Sequence, residues 1–566
     1  MPSKIALSFI YGNCQEHIER FLEAFAPCVD VIYACRAIGD QEPDETREKI
    51  ERFCQTIGLK RFFLEYRNRT EFPHIDSFGA ARDFCWQRAA ETSEATHLMW
   101  ADCDDILQEG AAKAIREACD NATEEVLICP YDVRGGTGKQ IVLRERIIKN
   151  NGISLWDFAI HESLKFKEEC KYRIIKDAVF IHLPDPTRAT SAPRNRAILH
   201  NEIKDTPRNL FYLGQEAFEA GNIEALKKYG NLALQFPELD HIFRYETLCN
   251  LAQVETDGEK AKTLAARAYF EMPDRREALA LMSHFHIIDG NNDAAHEVAK
   301  AMMNLPFPSK SYWSLNREWY EWKAFYLFTR TLRLVGNHDE ADELEDSRFF
   351  DAGCKISLIH ATRGRPEQAQ LCRDMWFSKA DKPEQIEHIF CMDDDDKASI
   401  AQLKGFRGVS VQAGGGCVRA WNEGAAMSQG KILLQLSDDW IPPQGWDTII
   451  LDRMGDLNQP SVLAVSDGMR TDSLLCMAIL TRKRYEDQGF MFHPDFKSVY
   501  SDNYFTAMAE IDEVLIDARD VVFVHTHPAF IGGGTDKTYQ ETNAPIRYME
   551  GKAVYDRLMK EQSCQQ

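Results

Sequence analysis

The sequence predicts two α/β domains, each with a mostly parallel sheet, and an all-helical region of repeats between them along the chain. Three observations favour this fold class. Short apolar runs alternate with amphipathic helical patterns over residues 1–193 and again over residues 351–566, as in doubly wound sheets. Residues 194–350 show helical patterns alone. Several motifs of the first part return in the same order in the last part, which indicates two copies of one fold.

Composition and charge narrow the class of protein. The chain has 566 residues, enough for several complete cores, and a formal net charge of −22. This charge disfavours a general electrostatic grip on nucleic acid or anionic membrane, although it leaves a local basic groove open. The 16 cysteines form no CxxC pair, no apolar run reaches membrane-spanning length, and the N-terminus reads as a strand instead of a signal peptide. We therefore expect a cytoplasmic protein with reduced thiols.

The first predicted domain, residues 1–193, reads as alternating strands and helices and ends at a cluster of prolines. Its last strand ends in His182. The predicted strands lie at 5–10, 29–35, 61–66, 98–101, 126–133, 140–148 and 178–182, with helices up to residue 25 and at 45–57 and 78–90.

An apolar run at 97–101 ends abruptly in Asp102, Asp104 and Asp105. Open α/β sheets bind ligands at the carboxyl ends of their strands. Asp102 and Asp104 are two residues apart, so an extended chain points both to the same side. Three carboxylates this close repel each other unless a cation neutralises them, and hard oxygen ligands suit Mg²⁺ or Mn²⁺ carrying a nucleotide diphosphate. The alternative is a strand followed by an acidic helix cap.

Residues 194–350 read as Ala-rich helices separated by turns. A Gly-Asn or Asp-Gly pair precedes four of these helices, and three of them run into Pro237, Pro273 and Pro306. The interval between these prolines is about the length of a tetratricopeptide unit. The region resembles degenerate tetratricopeptide repeats, which commonly bind or orient partners, so a protein partner could bind here.

The last predicted domain, residues 351–566, repeats the order of the first. A late strand ends in His525, at the place that His182 has in the first domain. Its strands lie at 355–360, 385–392, 408–412 and 432–436, with a helix at 420–427. The acids that follow two of these strands are Asp393, Asp394, Asp438 and Asp439.

These motifs resemble the family 2 glycosyltransferases of the GT-A fold, of the bacterial or phage type fused to tetratricopeptide-like repeats. Residues 77–83 (SFGAARD) are similar to the Arg-Asn helix of the family, and residues 101–105 (ADCDD) to its DxD motif. Residues 155–162 (LWDFAIHE) are similar to the W-x-x-x-x-H-E segment of members fused to such repeats. The fold implied is Rossmann-like in both domains. Looser likenesses lie at 419–426, 436–440 and 501–503, and a likeness to the junction before the repeats lies at 193–195 and 208–214.

The resemblance implies a metal-dependent glycosyltransferase of the hexosyltransferase kind. Such an enzyme takes a nucleotide-sugar donor, usually a UDP-sugar, and uses Mn²⁺ or Mg²⁺ to stabilise the charge that develops on the diphosphate leaving group. Transfer is by direct displacement with inversion, and a base removes the acceptor proton. A chain with two such domains would be bifunctional and transfer one or two sugars, although either domain could be inactive. The acceptor could be a glycan, a protein side chain or a modified base.

The resemblance also implies the residues of each site. A late-strand histidine often joins the DxD acids on the metal in this fold, and His525 has His527 beside it as an alternative ligand. The implied metal ligands are Asp102, Asp104 and His182 in the first domain and Asp438, Asp439 and His525 in the last. The implied donor-binding residues are Asp76, Arg82, Thr362, Arg363, Asp393 and Asp394.

Two acids are candidates for the base. Glu162 follows His161 in a segment after Trp156, whose ring could bound an acceptor sugar. The alternative is a surface loop anchored by a buried tryptophan. Asp502 stands where the superfamily usually keeps its acid pair, and the alternative for it is a helix N-cap.

Two departures from the family pattern bear on these assignments. The second strand of the first domain ends in Cys35 and Arg36, where the family usually has an acid that reads the base of the nucleotide. In the last domain, Leu436 and Ser437 stand where the first DxD acid would fall.

The arginines of residues 362–366 could contact a diphosphate, or that loop could be a solvated turn.

Two rival functions stay open. A glycosyltransferase acting on hydroxylated bases of phage DNA would need a basic surface, and residues 144–149 are basic although the chain is acidic. A non-catalytic scaffold would bind partners through its repeats and keep the two α/β domains as relics. The intact acids in both domains disfavour the scaffold.

Overall fold

The computed structural model describes residues 2–69, 71–133, 141–183, 192–201, 206–308, 315–526 and 535–563 of the chain. Residue contacts divide the chain into two units. Unit 1 comprises residues 1–282 and 305–317, and unit 2 comprises residues 283–304 and 318–566. Each unit is mixed α/β, with a large, mostly parallel sheet and many helices. The division falls inside the helical region, and the three-domain boundaries stay a prediction.

The elements of unit 1 follow the predicted alternation, with short additional strands after the acid-bearing strand. The strands are β1 (Ile5–Tyr11), β2 (Val31–Arg36), β3 (Lys60–Glu65), β4 (His97–Trp100), β5 (Asp105–Leu107), β6 (Val126–Asp132), β7 (Ile141–Lys149), β8 (Ser154–Asp157), β9 (Ser163–Phe166), β10 (Tyr172–Ile174) and β11 (Phe180–His182). The helices are α1 (Ile18–Phe25), α2 (Thr46–Ile57), α3 (Phe78–Thr92), α4 (Ala111–Asn121), α5 (Ala192–Asn201), α6 (Pro207–Glu219), α7 (Ile223–Ala233), α8 (His241–Val254), α9 (Gly258–Glu271) and α10 (Arg276–Ile288), the last of which continues into unit 2.

The sheet of unit 1 has the strand order β3-β2-β1-β4-β7-β6-β11-β5, with β10 beside β6. The first four strands are parallel, and β7 is antiparallel to both of its neighbours. Strand β1 is buried along its whole length because its side chains pack alternately on two cores. Phe9 packs with Phe21 of α1 on one face, and Ala6 lies in the core that contains Trp86 of α3 on the other. A continuous apolar run, and not an alternating one, is the pattern of such a strand.

The helices that follow form hairpins. Helices α6 and α7 pack together, as do α8 and α9. The glycines of the predicted turns adopt left-handed backbone angles, with φ of +67° at Gly221 and +72° at Gly290, which glycine tolerates best. The asparagine after each glycine caps the next helix, since Asn222 and Asn291 accept hydrogen bonds from the backbone N–H groups of Ala225 and Ala294. The Gly-Asn pairs in the sequence are therefore turn and cap signals.

Unit 2 contains the second sheet and the remaining helices. Its strands are β12 (Ile356–Thr362), β13 (Ile386–Asp393), β14 (Gly408–Val411), β15 (Ile432–Leu436), β16 (Trp440–Ile441), β17 (Val462–Ser466), β18 (Ile479–Thr481), β19 (Leu515–Val522) and β20 (Val524–His525). Its helices are α11 (Asn292–Met303), α12 (Glu318–Glu321), α13 (Lys323–Leu334), α14 (His338–Ala352), α15 (Pro366–Ser378), α16 (Lys397–Leu403), α17 (Gly416–Met427), α18 (Trp446–Met454), α19 (Arg482–Gln488), α20 (Ser501–Ile511), α21 (Lys537–Thr542) and α22 (Pro545–Ser563).

The two sheets share a strand order. In unit 2 the order is β14-β13-β12-β15-β18-β17-β19, with four parallel strands followed by the antiparallel β18. This matches β3-β2-β1-β4-β7-β6-β11 of unit 1 strand for strand. In each unit a short strand after the acids pairs antiparallel with a strand that ends in the late histidine, β5 with β11 and β16 with β20. The repeated motifs of the sequence therefore occupy corresponding places in the two sheets.

Two general features concern the whole chain. The cysteines that the structure describes are all free, and most are buried. Among the described residues, none of the helices combines the length and the apolar character that crossing a membrane requires.

Candidate active site

A cavity of about 550 Å³ opens in unit 1 beyond the carboxyl ends of β1, β2 and β4. This is the sheet edge at which open α/β folds bind ligands. Five residues predicted from the sequence line it: Arg82, Asp102, Asp104, Glu162 and His182. Other polar residues, from the surrounding loops and from α5, line it as well: Asn13, His17, Gln41, His74 and Arg194.

Asp104 and His182 line this cavity, and the buried Asp105 lies next to both of them. The antiparallel pairing of β5 with β11 sets Asp105 opposite His182, and the backbone N–H of Leu183 donates to the carbonyl of Asp104 at 2.8 Å. The Nδ1 atom of His182 lies 3.6 Å from a carboxylate oxygen of Asp104 and 3.5 Å from one of Asp105. One potential ligand atom of each residue lies within 4.8 Å of the others, so the three could hold a cation. The family resemblance implies Asp102, Asp104 and His182 as ligands and does not include Asp105.

Contacts on the side away from the cavity hold the Asp105 carboxylate in place. Its carboxylate is fully buried, accepts a hydrogen bond from the Tyr131 hydroxyl at 3.0 Å and lies 3.2 Å from the guanidinium of Arg146. Arg146 is itself fully buried, with its guanidinium 3.9 Å from the ring centre of Trp100. Burying a carboxylate is costly unless such partners compensate for the lost water, so these contacts hold Asp105 in one position. Arg146 belongs to the basic segment 144–149, and its burial removes it from any surface for DNA.

Asp102 is directed toward Arg82 and not toward His182. The guanidinium of Arg82 forms an ion pair with Asp102 and donates from Nε to Glu162 at 2.6 Å. It lies near two indole rings, 5.3 Å from that of Trp100 and 5.2 Å from that of Trp156. Arg82 thus bridges the DxD segment and the Glu162 segment, and its partners on every side restrict its motion. The metal-ligand role of Asp102 stays a prediction.

The electrostatics of the cavity separate the two acids of the DxD segment. Burial, together with the neighbouring charges of Asp102 and Asp105, raises the pKa of Asp104 to about 6, although His182 opposes this. Burial also acts to raise the pKa of Asp102, but Arg82 and Arg146 outweigh it and hold the pKa below its ordinary value. The pKa of His182 is raised, first by its contact with Asp105 and also by Asp104 and Asp102. Because the charges of Asp102 and Asp105 disfavour the ionised form of Asp104, a cation bound beside Asp104 would be favoured.

Asp76 lies outside the lining of the cavity. Its carboxylate accepts hydrogen bonds from the Tyr66 hydroxyl at 2.9 Å and from the Arg69 backbone N–H at 2.6 Å. Arg36, at the end of β2, pairs with Glu65 at 3.0 Å. The side chains at this end of the cavity are Gln41 and His74, whose Nε2 and Nδ1 atoms are 3.4 Å apart. Both belong to loops without a motif, so no sequence pattern marks them as site residues.

Unit 2 has its own cavity of about 790 Å³ at the corresponding sheet edge. Its lining includes most of the residues predicted for the last domain: Thr362, Arg363, Asp393, Asp438, Asp439, Asp502 and His525. Asp394 is exposed and outside this lining, and its carboxylate accepts from the Ala413 backbone N–H at 3.0 Å.

The acids of the second cavity already have protein partners. Asp438 is buried and accepts from the Thr362 hydroxyl at 3.2 Å, with the Nε2 atom of His360 at 3.0 Å from its other oxygen. Asp439 lies 3.3 Å from Nε2 of His525 and accepts from the Ser437 hydroxyl at 2.9 Å. Among the residues that the structure describes, the group with Asp104 is the one set of three or more His, Cys, Asp or Glu side chains that could hold a metal ion. His527 lies outside the described residues.

The arginines of residues 362–366 face carboxylates. Arg363 donates to Asp393 at 2.6 Å and pairs with Asp395, and Arg365 donates to both oxygens of Asp536 at 2.5 and 2.6 Å. The loop is therefore held by ion pairs, and it is not a freely solvated turn. A diphosphate would have to share or displace these carboxylates.

Asp502 lies in the first turn of α20 and lines the second cavity. The N-cap of this helix is Tyr500, with φ of +70° and no side-chain cap, so Asp502 does not have the alternative role of N-cap. Its carboxylate accepts a local hydrogen bond from the Asn503 backbone N–H at 2.9 Å. Burial raises its pKa, which moves this acid toward the range of a base.

No family model matches the sequence, and no curated protein matches it. Among solved structures, residues 1–349 of TarS from S. aureus align with 62% of this chain and 92% of that chain at 11% identity and a TM-score of 0.25. The mannosyltransferase PcManGT from Pyrobaculum calidifontis, solved with GDP-Man and Mn²⁺, aligns with 38% of this chain and 71% of that chain at 17% identity and a TM-score of 0.26. MamA aligns with 27% of this chain and 81% of that chain at 15% identity and a TM-score of 0.21. These scores are too low to establish a shared fold or function.

Proposed function

We propose that unit 1 is a metal-dependent glycosyltransferase that moves a sugar from a nucleotide-sugar donor, with a UDP-sugar as the first candidate, to a hydroxyl group. The observation that supports this most is that Asp104 and His182, with the buried Asp105 next to them, line the same cavity as the Arg82–Glu162 pair. The first group offers oxygen and imidazole ligands, and the second offers an acid beside a fixed cation. The likeness of residues 77–83, 101–105 and 155–162 to the family motifs favours the same reaction.

The ligand chemistry fits Mn²⁺ or Mg²⁺. Two carboxylates and one imidazole are hard or borderline ligands, and three protein groups leave room for diphosphate oxygens and water. In this role Asp104 and His182 would hold the ion from the cavity, with Asp105 behind them. The ion would supply neutralisation of the charge on the departing diphosphate. The raised pKa of Asp104 fits the role, because an acid that is destabilised as an anion gains most from a cation.

The residues of the chain supply the remaining steps. Glu162 would accept the proton of the acceptor hydroxyl as its oxygen attacks the anomeric carbon from the face opposite the diphosphate. The new carbon–oxygen bond forms as the bond to the diphosphate breaks, so the configuration inverts. Arg82 would hold Glu162 in place, and Asp102 would balance the charge of Arg82 or join the metal. Gln41 and His74 would face the nucleoside.

A second transfer site in unit 2 is the runner-up, and Asp502 is the observation that favours it. This acid faces a large cavity, is not a helix cap and has a raised pKa. In that reading Asp502 is the base, Thr362, Arg363 and Asp393 contact the donor, and the metal-ligand role of Asp438, Asp439 and His525 stays a prediction. A glycan, a protein side chain or a modified base remains the acceptor class.

The test is turnover of a panel of nucleotide sugars with Mn²⁺, read by mass spectrometry of the released nucleotide and of the product. Metal-stimulated release of a nucleoside diphosphate that Glu162→Gln slows is the expected result. Absence of turnover with every donor and acceptor class, in protein that binds Mn²⁺, would leave unit 1 as a binding module. A titration of duplex DNA at two salt concentrations separates the DNA-modifying alternative from the others.

A further inference from the structure

The segment that bears Glu162 is a short loop, residues 158–162, between β8 and β9. Its backbone is unusual, because Phe158 and His161 adopt positive φ angles of 71° and 53°. Residues with a side chain rarely adopt this conformation, and it persists only where the surroundings determine it. The contacts that impose it therefore also set the position of Glu162.

One side of the loop rests on α3. The backbone N–H of Phe78 donates to the carbonyl of Ala159 at 2.7 Å. Gly79 lies so close that a Cβ atom at this position would come within 2.1 Å of the carbonyl oxygen of Phe158. Only glycine permits this approach, which explains the glycine of residues 77–83 by packing.

The other side of the loop rests on α6, the first helix of the helical hairpins. Arg208 donates from Nη2 to the carbonyl of His161 at 2.5 Å, and its guanidinium lies 3.8 Å from the ring centre of Phe158. The imidazole of His161 stacks on the ring of Tyr212 with centres 3.9 Å apart and planes 11° apart. Burial and then the charge of Arg208 lower the pKa of His161 to about 4, so this ring stacks as the neutral form.

We propose that Arg208 and Tyr212 are positioning residues for Glu162, so that the first helical hairpin is part of the catalytic apparatus of unit 1. Both left-handed residues of the loop touch this pair, and Glu162 directly follows the second of them. Glu162 in turn holds Nε of Arg82. The sequence assigns no function to residues 208–214 beyond their likeness to the junction before the repeats. Their role would then be to hold the proposed catalytic base, Glu162, in position. The inference rests on the proposed function of unit 1.

The first experiment measures turnover for Tyr212→Leu, Tyr212→Phe and Arg208→Ala. Tyr212→Leu removes the stacked ring and Tyr212→Phe keeps it, so we expect kcat to fall about 10- to 100-fold in the first and by less than about 2-fold in the second. Binding of UDP with Mn²⁺ should change little, because these residues do not line the cavity. Leu226→Ala is the matched control: it removes a buried side chain of α7, in the same hairpin, that clusters with Ala217 and Leu251, and it should lower stability while leaving kcat near wild type.

A double-mutant cycle separates positioning from general damage. If Tyr212 acts through Glu162, Tyr212→Leu should slow wild type but have almost no effect in the Glu162→Gln background. Equal effects in both backgrounds, or a normal kcat for Tyr212→Leu, would overturn the proposal.

Hydrogen exchange keeps this test independent of the proposed function. The peptide spanning 158–162 should exchange at least about tenfold faster in Tyr212→Leu and Arg208→Ala than in wild type, Tyr212→Phe or Leu226→Ala. Unchanged exchange would overturn the positioning role even if the chain turns over no nucleotide sugar. If exchange is faster in these variants but wild type turns over no nucleotide sugar, the positioning role of Arg208 and Tyr212 is supported and the proposed glycosyltransferase function is not.

Discussion

The two sheets place the same kinds of residue at the same edge, yet the two edges differ in chemistry. In unit 1, His182 faces two carboxylates, those of Asp104 and Asp105. In unit 2, His525 faces the carboxylate of Asp439, and its ring stacks on Trp440 with centres 4.0 Å apart. The backbone is alike, since Leu183 donates to the carbonyl of Asp104 and Thr526 to that of Asp439, each at 2.8 Å.

Strand register explains the difference. Asp105 is the partner of His182 in the β5–β11 ladder, and Trp440 is the partner of His525 in the β16–β20 ladder. An indole therefore stands in unit 2 where unit 1 has its buried acid. The additional acid of unit 2, Asp438, points into the core toward His360. This difference at a paired position leaves unit 2, among the described residues, without the third candidate ligand that Asp105 supplies in unit 1.

The largest expected effect compares the two candidate bases. Glu162→Gln keeps the shape of the side chain beside Arg82 but cannot take a proton, so the product of unit 1 should form about 10²–10⁴-fold more slowly with unchanged binding of UDP and Mn²⁺. Asp502→Asn is its counterpart in unit 2 and should leave this product unaffected. Product analysis by mass spectrometry measures both. If Asp502→Asn slows transfer and Glu162→Gln does not, unit 2 is the active unit.

The next effect concerns the acids beside the histidines. Asp104→Asn should lower metal-stimulated turnover by about 10²–10³-fold, because one ligand of the cation that stabilises the leaving group is lost. Asp439→Asn changes the corresponding residue of unit 2 and should change the same turnover by less than about 2-fold. Initial rates at saturating Mn²⁺ test the pair. If Asp104→Asn and Asp439→Asn lower this turnover equally, both sheet edges are needed for it. That result would contradict the proposal that Trp440 leaves unit 2 without a metal site.

The affinity of the proposed metal site of unit 1 for Mn²⁺ should depend on pH. Metal ligands must lose their protons, and the pKa of Asp104 in the metal-free fold is about 6. The affinity for Mn²⁺ should be nearly constant well above this pH and fall by about tenfold or more per pH unit below it, since His182, whose pKa is raised, adds a second proton. Calorimetry between pH 5 and 8 measures this. A pH-independent affinity would exclude Asp104 and His182 as the ligands.

The smallest effect is on stability. The pKa of Asp104 is higher in the fold than its ordinary value, so the stability associated with its protonated form is present at low pH and is lost as the pH rises through about 6. At pH 7.5 without metal, Asp104→Asn should therefore raise the free energy of unfolding by about 1–3 kcal/mol. Denaturant unfolding with and without Mn²⁺ tests this, because saturating metal should stabilise wild type and not the variant. A variant less stable than wild type without metal would contradict the raised pKa.

The sequence predicted the parts of this comparison that depend on local pattern. Mainly apolar runs such as residues 5–10 marked the buried strands, and both cavities lie at the carboxyl ends of such strands. The motif also placed Asp104 and His182 at one edge, where the structure has them together. Asp105 and Trp440 could not be assigned in this way, because their roles depend on strand pairs between segments distant in the chain. The link from Asp102 to Arg82 likewise requires the packing of α3 beside β4, which no periodicity reveals.

The most direct measurement of the central claim, that unit 1 and not unit 2 has the metal site, is a count of Mn²⁺ ions bound per chain. Equilibrium dialysis or electron paramagnetic resonance with UDP present should give one tightly bound ion in wild type. Asp104→Asn should bind none, and Asp439→Asn should still bind one. Two ions in wild type with one lost in Asp439→Asn, or an ion that survives in Asp104→Asn, would contradict the claim and restore Asp438, Asp439 and His525 as metal ligands.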